Sequence, residues 1–247
     1  MKFIIPIIII TAIAAGWKAD LFRTPEPSAS VSPTKTAQIK SPTPTPRTTA
    51  ATLPAQVLLN VPFMAQSPLG NWSDPRQQDA CEEASLLMAY HWATGEPIGS
   101  LQESEAEIIA FAEYQIERYG HAIDTSAADT VKLMKEYLEY SKVRLVYDIT
   151  LADIKTELAK GNLVIVPALG RELPNPNFTP PGPLRHMFVI IGYDDSRQQF
   201  ITNDPGTRQG KGFRYAYSVM EDAFFDYPTG RHEPLTEMRR AMIVVEK

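Results

Sequence analysis

Cysteine is almost absent from this chain, with a single residue, Cys81, among 247. One cysteine excludes an internal disulfide framework, and an odd thiol in an exported chain points to reactivity or to pairing with another molecule. The four histidines are scattered, and no cysteine or histidine pair has the spacing of zinc ligands. We therefore expect no metal and no other cofactor.

Basic residues are outnumbered in the part of the chain that looks globular, residues 56–247. The whole chain has 24 basic and 29 acidic residues, and the first 55 residues account for six and two of them, which leaves 18 basic against 27 acidic. A net charge of about −9 on the domain gives no electropositive surface for nucleic acid. Nucleic acid is therefore not an expected partner.

Aromatic residues are missing from residues 23–54, where proline, serine and threonine dominate. Such a segment cannot bury enough apolar surface to offset the entropy lost on ordering. We predict a disordered, extended linker over residues 23–55, followed by one domain over residues 56–247.

Long hydrophobic runs are also missing, and the longest lies within residues 3–15. It follows the basic Lys2, is shorter than the roughly 20 residues of a spanning helix, and contains Ala12-Ile13-Ala14 as a small-residue cleavage site. Residues 1–22 are therefore predicted to be a signal peptide, with a retained N-terminal membrane anchor as the alternative. Either predicts an exported, extracytoplasmic domain.

From residue 56 onward the pattern is typical of a single α+β domain with helices first and an antiparallel sheet second. The predicted strands are at 56–64, 142–149, 162–167, 186–193, 198–204, 213–217 and 240–245. The predicted helices begin near 81, 100, 126, 150 and 218. A long proline-rich loop occupies residues 170–185, and loops of that length are usually functional or disordered.

Cys81 stands at the predicted first turn of an apolar helix, where the unpaired N–H groups of the helix stabilise a thiolate. A free cysteine can also be a buried structural residue, since it packs as a small hydrophobe. The neighbours Gln78, Asp79, Glu82 and Glu83 are polar, which favours a reactive cysteine with one face of the helix buried.

A cysteine nucleophile needs a base and a group that orients the base. His186 lies at the start of a strongly apolar strand, and the antiparallel return strand brings Asn203 and Asp204 to the same end of the sheet. Either side chain could accept the ring N–H and fix the tautomer. The order cysteine, histidine, then asparagine or aspartate is the order found in papain-like enzymes.

The chain resembles the bacteriocin-processing cysteine peptidases, family thirty-nine of the cysteine peptidases, and their stand-alone relatives. The resemblance covers residues 56–247 and is carried by the stretches Val61–Gln66, Asp79–Ser85, His186–Asp194 and Asn203–Pro205. It implies a papain-like fold with Cys81 as nucleophile, His186 as base, Asp204 as orienting residue and Gln66 as oxyanion donor. Asn203 remains the alternative orienting residue, and Gln77 and Gln78 are alternative donors.

The predicted function is that of an exported cysteine peptidase acting on a peptide or a peptide-containing cell-envelope polymer. Trp72 and the loop of residues 170–185 are candidates for lining the substrate groove. Glu82 directly after the cysteine should raise the pKa of the thiol. Two alternatives therefore stay open: a non-catalytic peptide-binding module of the cell envelope, and an enzyme that transfers the acyl group to an amine. We expect a monomer, with dimerisation through the odd thiol as the alternative.

Overall fold

The computed structural model describes residues 53–247. Within them the strands form a seven-stranded sheet in which every pairing is antiparallel. The strand order is β2-β7-β3-β4-β5-β6, and β1 pairs with the C-terminal end of β4. The strands are β1 (Gln56–Leu58), β2 (Val143–Tyr147), β3 (Leu163–Leu169), β4 (Arg185–Asp194), β5 (Gln199–Asn203), β6 (Lys211–Ala216) and β7 (Ala241–Val245).

Six α-helices accompany the sheet in the same residues: α1 (Pro75–Gln78), α2 (Cys81–Thr94), α3 (Leu101–Tyr119), α4 (Ala127–Glu136), α5 (Leu151–Ala159) and α6 (Tyr217–Ala223). The boundaries of α3 follow from local signals. Ser100 and Glu103 form a capping box at its start, and Gly120 ends it with φ of 85°. Thr150 and Asp153 form the same box at the start of α5.

The central strands are buried on both faces, because their side chains alternate between two hydrophobic clusters. In β3, Leu163 and Ile165 join the cluster that contains α2, α3 and α4, whereas Val164 and Val166 join the cluster that contains α5 and α6. In β4, Met187 joins the first of these clusters and Phe188 joins the second. The sheet is therefore the middle layer of the domain.

Helix α2 is buried on nearly all sides, which differs from the expected helix with one buried face. Its buried residues include Leu86 and Met88 but also the charged Glu82 and Glu83. The helix lies between β4 on one side and α3 and α4 on the other, so it is the central helix of its layer.

The predicted elements are otherwise confirmed, except that the strand predicted over residues 56–64 is only the three residues Gln56–Leu58 of β1. Pro62 has no N–H to donate to a neighbouring strand, and the residues after Leu58 form a loop. Helix α4, predicted to begin near residue 126, runs from Ala127 to Glu136, and Glu139 after it adopts a positive φ of 52°. The single turn α1 was not predicted, because four residues beginning with proline carry no periodic signal.

The predicted signal peptide or anchor at residues 1–22 lies outside the described residues, as does almost all of the predicted linker at 23–55. Among residues 53–247, no helix combines the length and hydrophobicity needed to cross a membrane.

Candidate active site

A cavity of about 610 Å³ lies at the N-terminus of α2 and contains both Cys81 and His186 in its wall. Gln66, Trp72, Gln78 and Asp79 line it on the chain segment before the helix. The rest of the wall comes from Asp124, Arg185 and residues within 177–183 and 206–209. The structure therefore brings together residues that are separated by more than 100 positions in the sequence.

Cys81 is the first residue of α2, and it is buried while still reaching the cavity. No side chain caps this helix, and the first N–H groups of a helix have no acceptor within it. The Cys81 N–H is thus placed to donate to a negative oxygen. Ser85, one turn later, fixes the helix against β4 by donating to the backbone O of Met187 at 3.2 Å.

Glu82 is the immediate partner of the thiol, since Cys81 Sγ donates to Glu82 Oε2 at 3.0 Å. The other carboxylate oxygen, Oε1, accepts from the Thr125 N–H at 3.0 Å and the Tyr227 hydroxyl at 2.8 Å. No hydrogen bond joins Sγ to the His186 ring within the described residues. The thiol in this conformation therefore faces a carboxylate.

Burial raises the pKa of the Cys81 thiol well above its ordinary value, and the charge and hydrogen bond of Glu82 raise it further. A backbone hydrogen bond with Met187 acts in the opposite direction. Burial also raises the pKa of Glu82, against the effect of the hydrogen bonds from Cys81 and Tyr227. These two groups share one proton network, so the state of Glu82 governs the state of the thiol.

His186, 1 % exposed, is held by Asp204, which is completely buried. The distance from His186 Nε2 to Asp204 Oδ1 is 2.8 Å. A carboxylate oxygen only accepts, so Nε2 carries the proton and Nδ1 is left as the base. Phe178 packs edge-on against the imidazole with ring centroids 5.3 Å apart, which restricts its rotation.

Asp204 is fixed by a set of donors that the sequence did not reveal. Its Oδ2 accepts from the Tyr215 hydroxyl at 2.6 Å and from Asn175 Nδ2 at 3.2 Å, and its Oδ1 accepts from the Gly206 N–H at 3.0 Å. Burial by itself raises the pKa of Asp204, but the charge of His186 and these hydrogen bonds outweigh it and leave the pKa lowered. The carboxylate therefore stays ionised beside the imidazole.

Position 206 is a glycine because there is little space for a side chain between it and the rings of His186 and Phe178. A Cβ there would lie 2.9 Å from Cε1 of His186 and 2.9 Å from Cε1 of Phe178. The turn after β5 therefore approaches the imidazole more closely than any larger residue permits.

Asn203 does not contact His186. Its Nδ2 donates to the backbone O of Val61 at 3.3 Å and of Pro62 at 3.1 Å, and its Oδ1 accepts from the Gly212 N–H at 3.2 Å. Of the two candidate orienting residues, Asp204 is the one that reaches the ring, and Asn203 anchors the segment that leads to Gln66.

Gln66 lies against the turn that precedes Cys81. Its Nε2 donates to the backbone O of Gln77 at 3.1 Å and of Gln78 at 2.7 Å, so both amide hydrogens are engaged. Donation to a substrate oxygen requires Gln66 to exchange one of these bonds. Gln77 is completely buried and outside the cavity wall, whereas Gln78 lines the cavity.

Trp72 lines the cavity with 39 % of its surface exposed, and its contact with substrate stays a prediction. The proline-rich loop contributes Asn177, Phe178 and Thr179 together with Gly182 and Pro183. Within residues 53–247 no group of three or more histidine, cysteine or carboxylate side chains is arranged to hold a metal ion.

The comparison with protein families matches residues 58–228 to the Peptidase_C39 like family. The chain belongs to the Peptidase_C39 like family. This membership and the observed arrangement of helices and antiparallel sheet confirm the predicted α+β, papain-like fold.

The solved structures that are similar to this chain include a C39-like peptidase and a cysteine protease. One is from Bacillus anthracis and is assigned as a C39-like peptidase, with 17% identity, a TM-score of 0.44, and coverage of 78% of this chain and 98% of the other. The second is xylellain, a cysteine protease from Xylella fastidiosa, with 15% identity, a TM-score of 0.45, and coverage of 79% and 87%. No curated protein matches the chain at a significant level.

Sequence analysis did not identify three residues that hold the candidate site residues in place through tertiary contacts. Tyr215 and Asn175 hold Asp204, and Tyr227 joins Glu82 to the backbone O of His186, 3.2 Å from its hydroxyl. Their positions in the chain gave no spacing that could have identified them.

Proposed function

We propose that this protein is an exported cysteine peptidase that hydrolyses peptide bonds through Cys81, His186 and Asp204. The observation that supports the proposal best is the shared cavity, in which the N-terminus of a buried helix presents Cys81 and the Asp204 carboxylate orients His186. The substrate is a peptide or a peptide-containing polymer of the cell envelope.

The reaction follows from the groups in the cavity. The Cys81 thiol, which donates to Glu82 in the structure, first turns to His186, and Nδ1 accepts its proton. The Cys81 sulfur then attacks the carbonyl carbon to form a C–S bond. The carbonyl oxygen becomes negative and accepts from the Cys81 N–H and from Gln66. The protonated imidazole then donates to the leaving nitrogen as the C–N bond breaks, which leaves a thioester.

Water completes hydrolysis. His186 takes a proton from the water as its oxygen attacks the thioester carbon, and the C–S bond breaks to release the acid and restore the thiol. An amine in place of water gives acyl transfer with the same residues. A competition assay with an added amine distinguishes the two products by mass.

The proposal is tested by incubating the full chain and its Cys81→Ala variant with a denatured protein and a synthetic peptide library. We expect new peptide termini in the mass spectrum with the native chain and none with Cys81→Ala. Equal cleavage by both proteins would exclude Cys81 as the nucleophile. The His186→Ala variant should lose activity by about 100-fold or more, since general acid–base catalysis contributes about 10²–10⁴.

A non-catalytic peptide-binding module is the second candidate, and one observation favours it. The Cys81 thiol donates to Glu82, and its pKa is raised by burial and by that carboxylate, which opposes formation of a thiolate. If the native chain binds peptides as tightly as Cys81→Ala does and cleaves none of them, the binding function replaces the peptidase.

Export is supported by the sequence of residues 1–22 and by the composition of the linker that follows. Cell fractionation of the full chain, beside a chain that lacks residues 1–22, tests it. We expect only the full chain in the extracytoplasmic fraction.

A further inference from the structure

Arg185 differs from every other arginine in residues 53–247. It is buried, with 9 % of its surface exposed, and it lines the same cavity as Cys81 and His186. Six others contact a carboxylate: Arg76, Arg144, Arg197, Arg214, Arg239 and Arg240. The remaining four are exposed: Arg118, Arg171, Arg208 and Arg231. Arg208 also lines the cavity, so Arg185 is distinguished from it by burial.

The guanidinium of Arg185 is only partly satisfied by the protein. Its Nη2 donates to the backbone O of Glu233 at 3.0 Å, and the group lies 5.9 Å from the ring centroid of Tyr227. Its Nε is shielded from solvent and has no hydrogen-bond partner within the described residues. A buried cation without a counter-ion is costly, so such groups are normally paired.

The carboxylates of Asp79 and Asp124 line the same cavity, and no salt bridge joins either of them to Arg185 within residues 53–247. Asp124 Oδ2 accepts from the His232 backbone N–H at 2.7 Å and from its ring Nδ1 at 2.8 Å. Glu82 accepts from Cys81, Thr125 and Tyr227. The cavity therefore holds a guanidinium that none of these carboxylates neutralises by direct contact.

We propose that Arg185 binds a carboxylate of the peptide in the cavity, beside the bond that Cys81 attacks. The inference rests on the proposed function, because it names the class of peptide: one with an aspartate or glutamate side chain, or a free C-terminal carboxylate, next to that bond. Arginine suits this task because its planar fork donates two hydrogen bonds to one carboxylate.

The acidic character of the whole domain does not contradict this preference. Charges farther away than about 8–10 Å are largely screened at physiological salt, whereas a guanidinium–carboxylate contact acts at hydrogen-bond distance. The domain charge disfavours polyacidic peptides, so the expected ligand is a peptide with an isolated carboxylate.

The test measures binding, so that it does not depend on hydrolysis. The full chain with Cys81→Ala is titrated with pairs of fluorescent peptides that differ only in glutamate against glutamine at one position, or in a C-terminal acid against an amide. At one position the peptide that carries the carboxylate should bind about tenfold more tightly than its neutral counterpart, as expected for charge-assisted hydrogen bonds. The position that shows the preference distinguishes a side-chain carboxylate from a terminal one.

The same titrations with Arg185→Gln added should give a ratio near one, and Arg185→Lys should give an intermediate ratio. Arg118→Gln removes an exposed arginine outside the cavity and should keep the tenfold ratio. If Arg185→Gln does not fold in a thermal melt, the lysine variant replaces it.

A ratio near one for every pair when Arg185 is present overturns the proposal, as does a ratio that survives Arg185→Gln. Failure of the peptidase proposal has a different signature, namely unchanged peptides after incubation with the chain that retains Cys81.

Discussion

Replacing Glu82 by glutamine should make the Cys81 thiol more reactive. The carboxylate oxygen Oε2 lies 3.0 Å from Sγ, and the other oxygen is held by the Thr125 N–H and the Tyr227 hydroxyl. Because the Thr125 N–H can only donate, the glutamine oxygen takes the Oε1 position and the amide N–H₂ faces the sulfur. An acceptor that favours the thiol is thereby exchanged for a donor that favours the thiolate.

The size of the effect follows from this contact. A thiolate and an ionised carboxylate at 3.0 Å repel by about 5 kcal/mol at an effective dielectric of about 20. The proton that Cys81 and Glu82 share relieves part of that repulsion. The charge-assisted hydrogen bond, worth about 1.5–3 kcal/mol, therefore sets the lower limit of the free energy by which Glu82 favours the thiol over the thiolate. Loss of this free energy in Glu82→Gln corresponds to about 10- to 100-fold more thiolate than in the native chain. A less basic sulfur is also a weaker nucleophile, with a Brønsted coefficient of about 0.5, which leaves about a 3- to 10-fold faster reaction.

The assay is the rate of alkylation by iodoacetamide against pH, in the native chain and in Glu82→Gln. The midpoint of the profile should move to lower pH, and the rate at neutral pH should rise by about 3- to 10-fold. Glu83→Gln is the matched control, since Glu83 also raises the pKa of the thiol but makes no hydrogen bond to it, and its effect should be smaller. An unchanged or higher midpoint in Glu82→Gln would refute the role of this contact.

Four further predictions concern the residues around the thiol. Asp204→Asn should lower turnover by about 100-fold or more, because an amide cannot accept from all four donors that surround this position. Asn203→Ala should instead lower the free energy of unfolding by about 1 kcal/mol and leave turnover nearly unchanged, and the reverse result would exchange their roles. Gln66→Ala should lower kcat by about 100-fold with little change in KM if it donates to the oxyanion, whereas loss of thermal stability alone would assign it to the turn before Cys81. Burial raises the pKa of Glu83 well above its ordinary value of 4.5, so the folded state binds the extra proton and loses stability as pH rises above 4.5. Denaturant titrations should therefore show Glu83→Gln more stable than the native chain at neutral pH by about 1 kcal/mol or more, with no difference well below pH 4.5. A difference in stability that does not change with pH would contradict burial of the Glu83 carboxylate as its cause.

The sequence by itself predicted most of the helices and strands of this protein, and it singled out Cys81, His186 and Asp204 as candidate reacting groups. Ser100, Thr150 and Gly120 mark helix ends by contacts within a few residues, and the alternation in β3 and β4 reflects burial of both faces of a sheet. The hairpin also placed Asp204 at the same end of the sheet as His186. These signals are local or depend on one antiparallel pairing, so they can be derived without the rest of the fold.

Only the tertiary structure decided which groups surround those residues. The partners of Glu82 are 43 and 145 positions away, and Tyr215 and Asn175 reach Asp204 from β6 and from the proline-rich loop. The burial of Arg185 and the engagement of both Gln66 amide hydrogens are equally invisible in the sequence. The strength of a buried hydrogen bond or charge depends on what lies within a few ångströms, and that neighbourhood exists only after distant segments have packed together.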